Sequence, residues 1–139
     1  MKEPTWLTLN IIETIHVDLI KVHGGYHGYR DKAMVEAALA RPLQRWNYEK
    51  NLDIFSLAAS YGYALTKNHG FIDGNKRVTF MAIYIFLGLN GYELDAPEQE
   101  IVDIILKLSN DDLDENKLAQ WLRRAAIFGF ENGGQDANE

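Results

Sequence analysis

Nine consecutive residues, His69-Gly70-Phe71-Ile72-Asp73-Gly74-Asn75-Lys76-Arg77, bring a histidine, a carboxylate, an amide and two cations around one glycine-bearing turn. That inventory suits phosphate chemistry. Moving a phosphoryl group needs a base for the attacking hydroxyl, a metal to neutralise the phosphates, and cations and N–H donors around the developing charge. Histidine is the side chain that exchanges protons near neutral pH, which makes His69 the candidate base. Asp73 offers the single carboxylate by which Mg2+ is commonly held, with phosphate oxygens and waters filling its other positions. Gly74 permits close backbone approach, Asn75 offers an amide to phosphates, and Lys76 and Arg77 supply positive charge. Phe71 reads as a packing anchor for the loop.

The cluster must be positioned by what surrounds it. It runs directly into Val78-Thr79-Phe80-Met81-Ala82-Ile83-Tyr84-Ile85-Phe86-Leu87-Gly88-Leu89, a stretch too apolar for a surface element and long enough for a buried helix, closed by Asn90-Gly91. The polar residues thus occupy a helix N-terminus, where unpaired N–H groups and the dipole favour an anion. Upstream, Ile11, Ile12, Ile15, Leu19 and Val22 keep helical spacing up to Gly24-Gly25. Asp31 caps a helix carrying Val35, Ala38 and Leu39, which Pro42 is expected to cut off or turn. A helix from Asn51 to about Asn68 then delivers the chain to His69. Downstream, Pro97, Glu98 and Glu100 open a helix through Leu108, and Ser109 to Asp112 form a turn. The last helix puts Leu118, Trp121, Leu122, Ala125 and Ala126 on one stripe, with Arg123-Arg124 near its C-terminus. The whole reads as all-α: one domain over residues 1–130, a compact helical bundle with a central buried helix. A tail at 131–139 has almost nothing to bury and is expected to be disordered.

Composition narrows the classes. The 139 residues suit a single domain with a real core, and 47% hydrophobic with 24% charged residues is ordinary for a globular protein. There is no cysteine, which removes disulfides, thiolate catalysis and cysteine-ligated zinc. A formal net charge of −6 argues against direct nucleic-acid binding, because polyanion affinity comes from Lys and Arg. No stretch is long and apolar enough for a membrane span and no leader is visible, so a cytoplasmic protein is expected. Among the other residues, Gly24-Gly25 separates His23 from His27 and speaks against a metal pair. His16 reads as structural. Tyr26 to Arg30 form either a target-docking flap or a packed turn. Trp46, Tyr48 and Trp121 read as core or interface packing.

The residues alone leave two readings open: an anion site, or a helix start capped by Asp73 and Asn75 beside a surface histidine. Adjacent cations at a helix N-terminus favour the first, since positive charge there is unfavourable without an anion to offset it. The stretch also closely resembles the signature of the Fic/Doc superfamily, above all its death-on-curing (Doc) branch, His-x-Phe-x-Asp-Ala/Gly-Asn-Lys-Arg. The similarity extends to Gly24-Gly25, Arg30-Asp31, Glu36 to Pro42, Phe86-Leu87 and Asn90-Gly91-Tyr92, covering roughly residues 9–125.

The resemblance implies a Fic-type helical fold and the toxin of a bacterial toxin–antitoxin pair. It makes His69 the catalytic base, Asp73 the magnesium ligand, and Asn75, Lys76 and Arg77 the phosphate-binding groups. Typical Fic enzymes have glycine at the position of Lys76 and arginine at that of Phe80, and transfer AMP. The Doc branch shares both departures and resembles a protein kinase on the Fic scaffold, with ATP bound in the reverse sense and a threonine of elongation factor Tu as target. The resemblance therefore implies ATP as co-substrate, Mg2+, phosphate transfer and translation arrest; an AMP transferase or a non-catalytic interaction module are the alternatives. Some Fic proteins inhibit themselves through a Ser/Thr-x-x-x-Glu-Gly/Asn helix. Here Glu115-Asn116 comes nearest, with Asp111 in place of the hydroxyl residue. Inhibition by an antitoxin whose disordered C-terminal segment folds onto the toxin is the implied arrangement.

Overall fold

A computed structural model describes residues 1–129. The expected disordered tail at 131–139 lies outside the described residues. Among those described, the order is α1 (Leu9–His23), α2 (Lys32–Tyr48), α3 (Ile54–Asn68), α4 (Asn75–Leu89), β1 (Tyr92–Leu94), α5 (Glu98–Ser109), α6 (Glu115–Ala125) and β2 (Ala126–Phe128). Local chemistry sets most helix starts. The side chains of Thr8, Asp31, Asp53 and Asp114 accept from the amides of Ile11, Ala33, Ser56 and Lys117, each satisfying a donor that the helix leaves unpaired. The fold is all-α in class, as the composition and periodicity imply.

The core forms where α3 and α4 pack on each other, with α2 and α6 against α3 and α1 and α5 against α4. Leu57, Ala58, Tyr61, Ala82, Phe86 and Leu87 are fully enclosed there. The expected buried helix is α4, yet α3 is buried over more of its circumference, because it is covered from α2, α4 and α6 at once. Tyr61 pins the N-terminal segment by accepting the Leu7 amide at 3.0 Å, and burial pushes its phenol up to about 12.

Two expectations are corrected. Pro42 does not end α2, which continues through it to Tyr48. Proline removes one helical N–H and crowds the preceding turn, at a cost of about 3 kcal/mol, but its fixed φ is helical and its neighbours are held from outside. Pro42 is itself buried, Arg41 and Arg45 both reach Glu115 of α6, and Trp46 meets Trp6 edge-on at 6.3 Å. Ala126, placed on the stripe of the last helix, instead begins β2. There the backbone turns extended and pairs antiparallel with β1, Tyr92 opposite Phe128 and Leu94 opposite Ala126. The Phe128 ring lies 5.3 Å from Tyr92, a partner that helical periodicity does not register. Of the aromatics expected to pack, Trp121 is buried and donates to Glu100 at 2.6 Å, whereas Tyr48 is 87% exposed.

Glu115 joins α6 to α2 and α3. It accepts from Arg41, from Arg45 Nη1 at 3.0 Å and from Ser60 Oγ at 2.6 Å. Burial alone would raise its carboxyl, but hydrogen bonds from Arg41 and Ser60 outweigh that and hold it below the ordinary carboxylate range. A lowered folded value means that Glu115 stabilises the fold above its ordinary value of 4.5 and loses that contribution as pH falls through the folded value. Glu115→Gln is expected to cost about 2–3 kcal/mol at pH 7 by leaving Arg45 half-paired in a largely buried setting. Urea denaturation at pH 7 and again below pH 4 checks this, and the wild-type advantage should shrink at the lower pH.

Candidate functional site

The candidate residues lie on the turn between α3 and α4. α3 ends on His69, whose left-handed conformation (φ 47°, ψ 54°) swings the chain off the helix axis while its amide still reaches Leu65 O at 3.2 Å. The end is locked from outside by Arg30. Its Nε donates to the His69 carbonyl at 2.6 Å and its Nη2 to that of Asn68 at 2.8 Å, a cation placed where a helix C-terminus presents unpaired oxygens. The His69 side chain is left exposed to solvent.

Gly70 follows, buried against α2. Its carbonyl accepts the amides of Arg30 and Asp31 at 2.8 and 3.0 Å, and a Cβ there would lie 2.3 Å from Val35 Cγ2 and 3.1 Å from the Asp31 carbonyl oxygen. Phe71 is 2% exposed, as befits a packing anchor. Its amide donates to Asn75 Oδ1 at 3.0 Å and its carbonyl accepts from Asn75 Nδ2 at 2.9 Å. The Asn75 side chain, expected to reach phosphates, is thus bonded through both amide atoms to the loop backbone and closes the turn on itself.

Asp73 is half-buried. Its Oδ2 accepts the Tyr26 amide at 2.8 Å, and Oδ1 has no hydrogen bond among the described residues. Gly74 (φ 81°) is the N-cap of α4 and makes no side-chain cap bond. α4 therefore starts with no protein group closing its first turn, and Lys76 and Arg77 in that turn are exposed and make no ion pair among the described residues. Two cations and uncapped amides at a helix start leave positive potential facing outward.

That potential opens onto a cleft of about 910 Å3. His69, Asp73, Gly74, Asn75, Lys76 and Arg77 all line it, so the structure brings every sequence-predicted site residue to one cavity. Leu19 of α1, Phe80 and Met81 of α4, and Ile101, Val102 and Ile105 of α5 add apolar lining, with Glu98 and Ser109 of α5 and Asn110 among the polar residues. Cations and free amides beside apolar lining suit a ligand with an anionic part and an apolar part. A smaller groove of about 370 Å3 between α1 and α4 carries none of the polar inventory.

The family model described as Fic/DOC family matches residues 6–87, the segment from the approach to α1 through almost all of α4. The chain belongs to the Fic/DOC family. It is similar to a protein of Escherichia phage P1 named "Protein kinase doc", 32% identical over 111 residues that span 79% of this chain and 86% of the relative. It is also similar to a protein of Mycolicibacterium smegmatis named "Toxin Doc", 30% identical over 115 residues spanning 81% and 85%.

In this Fic/DOC chain Lys76 and Phe80 both border the cleft. Lys76 projects from the first turn of α4, and Phe80, one turn on, lies against Tyr84 with ring centroids 6.0 Å apart. Among the described residues no group of three or more metal-ligating side chains occurs. A divalent cation that arrives with a nucleotide needs no such cage, and Asp73, whose Oδ2 takes the Tyr26 amide, would have Oδ1 to offer it. Glu115, the residue nearest to the inhibitory-helix pattern, is committed to Arg41, Arg45 and Ser60. No described helix is long and apolar enough to cross a membrane.

The Tyr26 to Arg30 loop is packed along the motif, with Tyr29 bridged to Phe71 and Ile72 N donating to Gly28 O at 3.1 Å, while Tyr26 itself stays 74% exposed. Gly70 carries no signal of its packing in the sequence, and His16, which reads as structural, is buried against the motif loop. Arg30 had a signal, since it stands in the segment that resembles the family outside the motif.

Proposed function

We propose that this protein is a Doc-type toxin that transfers the γ-phosphate of ATP to a serine or threonine hydroxyl of a protein target, elongation factor Tu being the expected one, and so arrests translation in a bacterial cytoplasm. The observation that carries the reading is the single cleft in which the exposed His69 side chain, Asp73, and the cations at the uncapped start of α4 meet. The phage relative's name, "Protein kinase doc", supports phosphate as the group transferred. Control by an antitoxin whose disordered C-terminal segment folds onto the protein goes with the second relative's name, "Toxin Doc".

In this reading His69 takes the proton of the target hydroxyl as its oxygen bonds to the γ-phosphorus, and the bond from that phosphorus to the β,γ-bridging oxygen breaks, its electron pair leaving on ADP. Lys76, Arg77 and the first-turn amides of α4 meet the charge that spreads over the phosphoryl oxygens. Magnesium, when bound, would neutralise the phosphates beside Asp73. Asn75 acts on the backbone, keeping Phe71 and therefore the turn in place. The apolar residues of the cleft take the nucleobase.

Incubation with Mg-ATP and elongation factor Tu, followed by intact-mass measurement, is expected to add the mass of one phosphate. Addition of a whole nucleotide would replace this reading with AMP transfer, and an unmodified target would leave a binding module. Lys76→Gly is expected to lower phosphate transfer about a hundredfold, the usual loss when one donor to a developing anion is removed. An unchanged rate would take Lys76 out of the phosphate site.

A further inference from the structure

One buried histidine touches the site without belonging to the reacting cluster. His16 of α1 is 3% exposed, and its Nε2 lies 2.9 Å from the Asp73 carbonyl oxygen. That oxygen only accepts, so Nε2 carries the proton and donates. The imidazole also stacks on Phe71, with centroids 4.0 Å apart and planes within 12°. Tyr29 stacks on the same phenyl ring at 5.1 Å, and its hydroxyl donates to Glu13, one turn before His16 on α1. α1 thus holds the motif loop through the Asp73 carbonyl, the Phe71 ring and Tyr29.

The held group is a joint. The peptide whose oxygen His16 binds links Asp73 to Gly74, and Gly74 adopts φ 81°, a region that glycine enters and leaves at little cost. An uncompensated rotation at this joint would change how the Asp73 residue, and with it the carboxylate, stands relative to the start of α4. The Tyr26 amide restrains the carboxylate, but on the carbonyl side the hydrogen bond comes from His16.

We propose that His16 is the positioning residue of this site, fixing the Asp73–Gly74 peptide through its Nε2–H so that the Asp73 carboxylate stays aimed into the cleft. It touches neither substrate nor phosphate. Its consequence for catalysis rests on the phosphate-transfer reading, whereas its hold on the loop is a property of the protein alone, and the test separates the two.

Amide hydrogen exchange is measured on the full chain for wild type, His16→Met, which keeps volume but loses the donor, and His16→Gln, whose amide can restore it. The Phe71 and Ile72 amides, bonded to Asn75 Oδ1 and Gly28 O, exchange only when the loop opens. In His16→Met they are expected to exchange about tenfold faster while Ala82 and Phe86 of α4 keep their rates, and His16→Gln should return within about threefold of wild type. With Mg-ATP, His16→Met should lose about tenfold in kcat with KM for ATP unchanged, the mark of a misaimed rather than an absent binding group. Unchanged loop exchange in His16→Met, acceleration spread equally over α4, or no rescue by glutamine each overturns the proposal. If His16→Met does not fold, His16→Asn takes its place, its shorter amide failing to span to the Asp73 carbonyl, and the same results decide. A wild-type protein that transfers no phosphate but shows the expected loop response would refute the transfer reading and leave the role of His16 standing.

Discussion

Replacing His69 with alanine is expected to lower phosphate transfer by about two to four orders of magnitude, the range lost with a general base, while changing stability by no more than about 0.5 kcal/mol. The asymmetry follows from how the residue is divided. Its backbone carries the structure: the amide closes α3 on Leu65 and the carbonyl receives Arg30. Its side chain is exposed at the cleft and makes no hydrogen bond among the described residues. Alanine bears the same Cβ in the left-handed conformation, so the turn loses nothing that the imidazole supplied. Single-turnover transfer from labelled ATP, with thermal melting alongside, measures both halves. Residual transfer within a fewfold of wild type would move the proton to another group, and a large drop in melting temperature would show that the side chain has a structural duty.

Gly70→Ala should do the opposite, damaging the fold first and activity through it. A methyl group 2.3 Å from Val35 Cγ2 cannot be accommodated by rotating Val35, which is stiff at χ1 and 1% exposed, and the Asp31 carbonyl oxygen and Val35 amide nitrogen close the other sides at 3.1 Å. Overpacking of this kind costs about 1–3 kcal/mol, here toward the upper end because backbone surrounds the methyl group. The loop must shift to relieve it, and with it the Gly70 carbonyl that receives Arg30 and Asp31. A double-mutant cycle with Val35→Ala tests the cause. Removing Cγ2 should make the double variant less destabilised than the sum of the single costs, whereas strict additivity in urea denaturation would place the strain elsewhere.

Gly70 and His69 show why adjacent residues differ in legibility. His69 announces itself by type, because a histidine beside a carboxylate and two cations is chemistry at any fold. Gly70 is defined by Val35, which approaches it only when α2 lies across the loop. The same contrast runs through the helices. Asp31, and Asn90-Gly91 at the end of α4, could be read directly, since a cap acts on amides and carbonyls within one turn. Pro42 could not, because what carries α2 past it is Glu115 on α6 and Trp6 near the N-terminus. Ala126 could not, because its strand partner is Leu94.

Sequence by itself determined the all-α class, the place of the motif at the start of α4, membership of the Fic/DOC family and the set of side chains gathered at one cleft. These follow from contiguous residues, whose periodicity, caps and charges act over a turn or two of chain. Tertiary structure decided how the set is held. It gave Asp73 a backbone donor from Tyr26 and brought His16 from 57 residues away to the Asp73 carbonyl. Hydrogen bonds and ring stacking act over a few ångströms of space whatever the distance along the chain, so a residue type shows what it can do and only packing shows what it does it to.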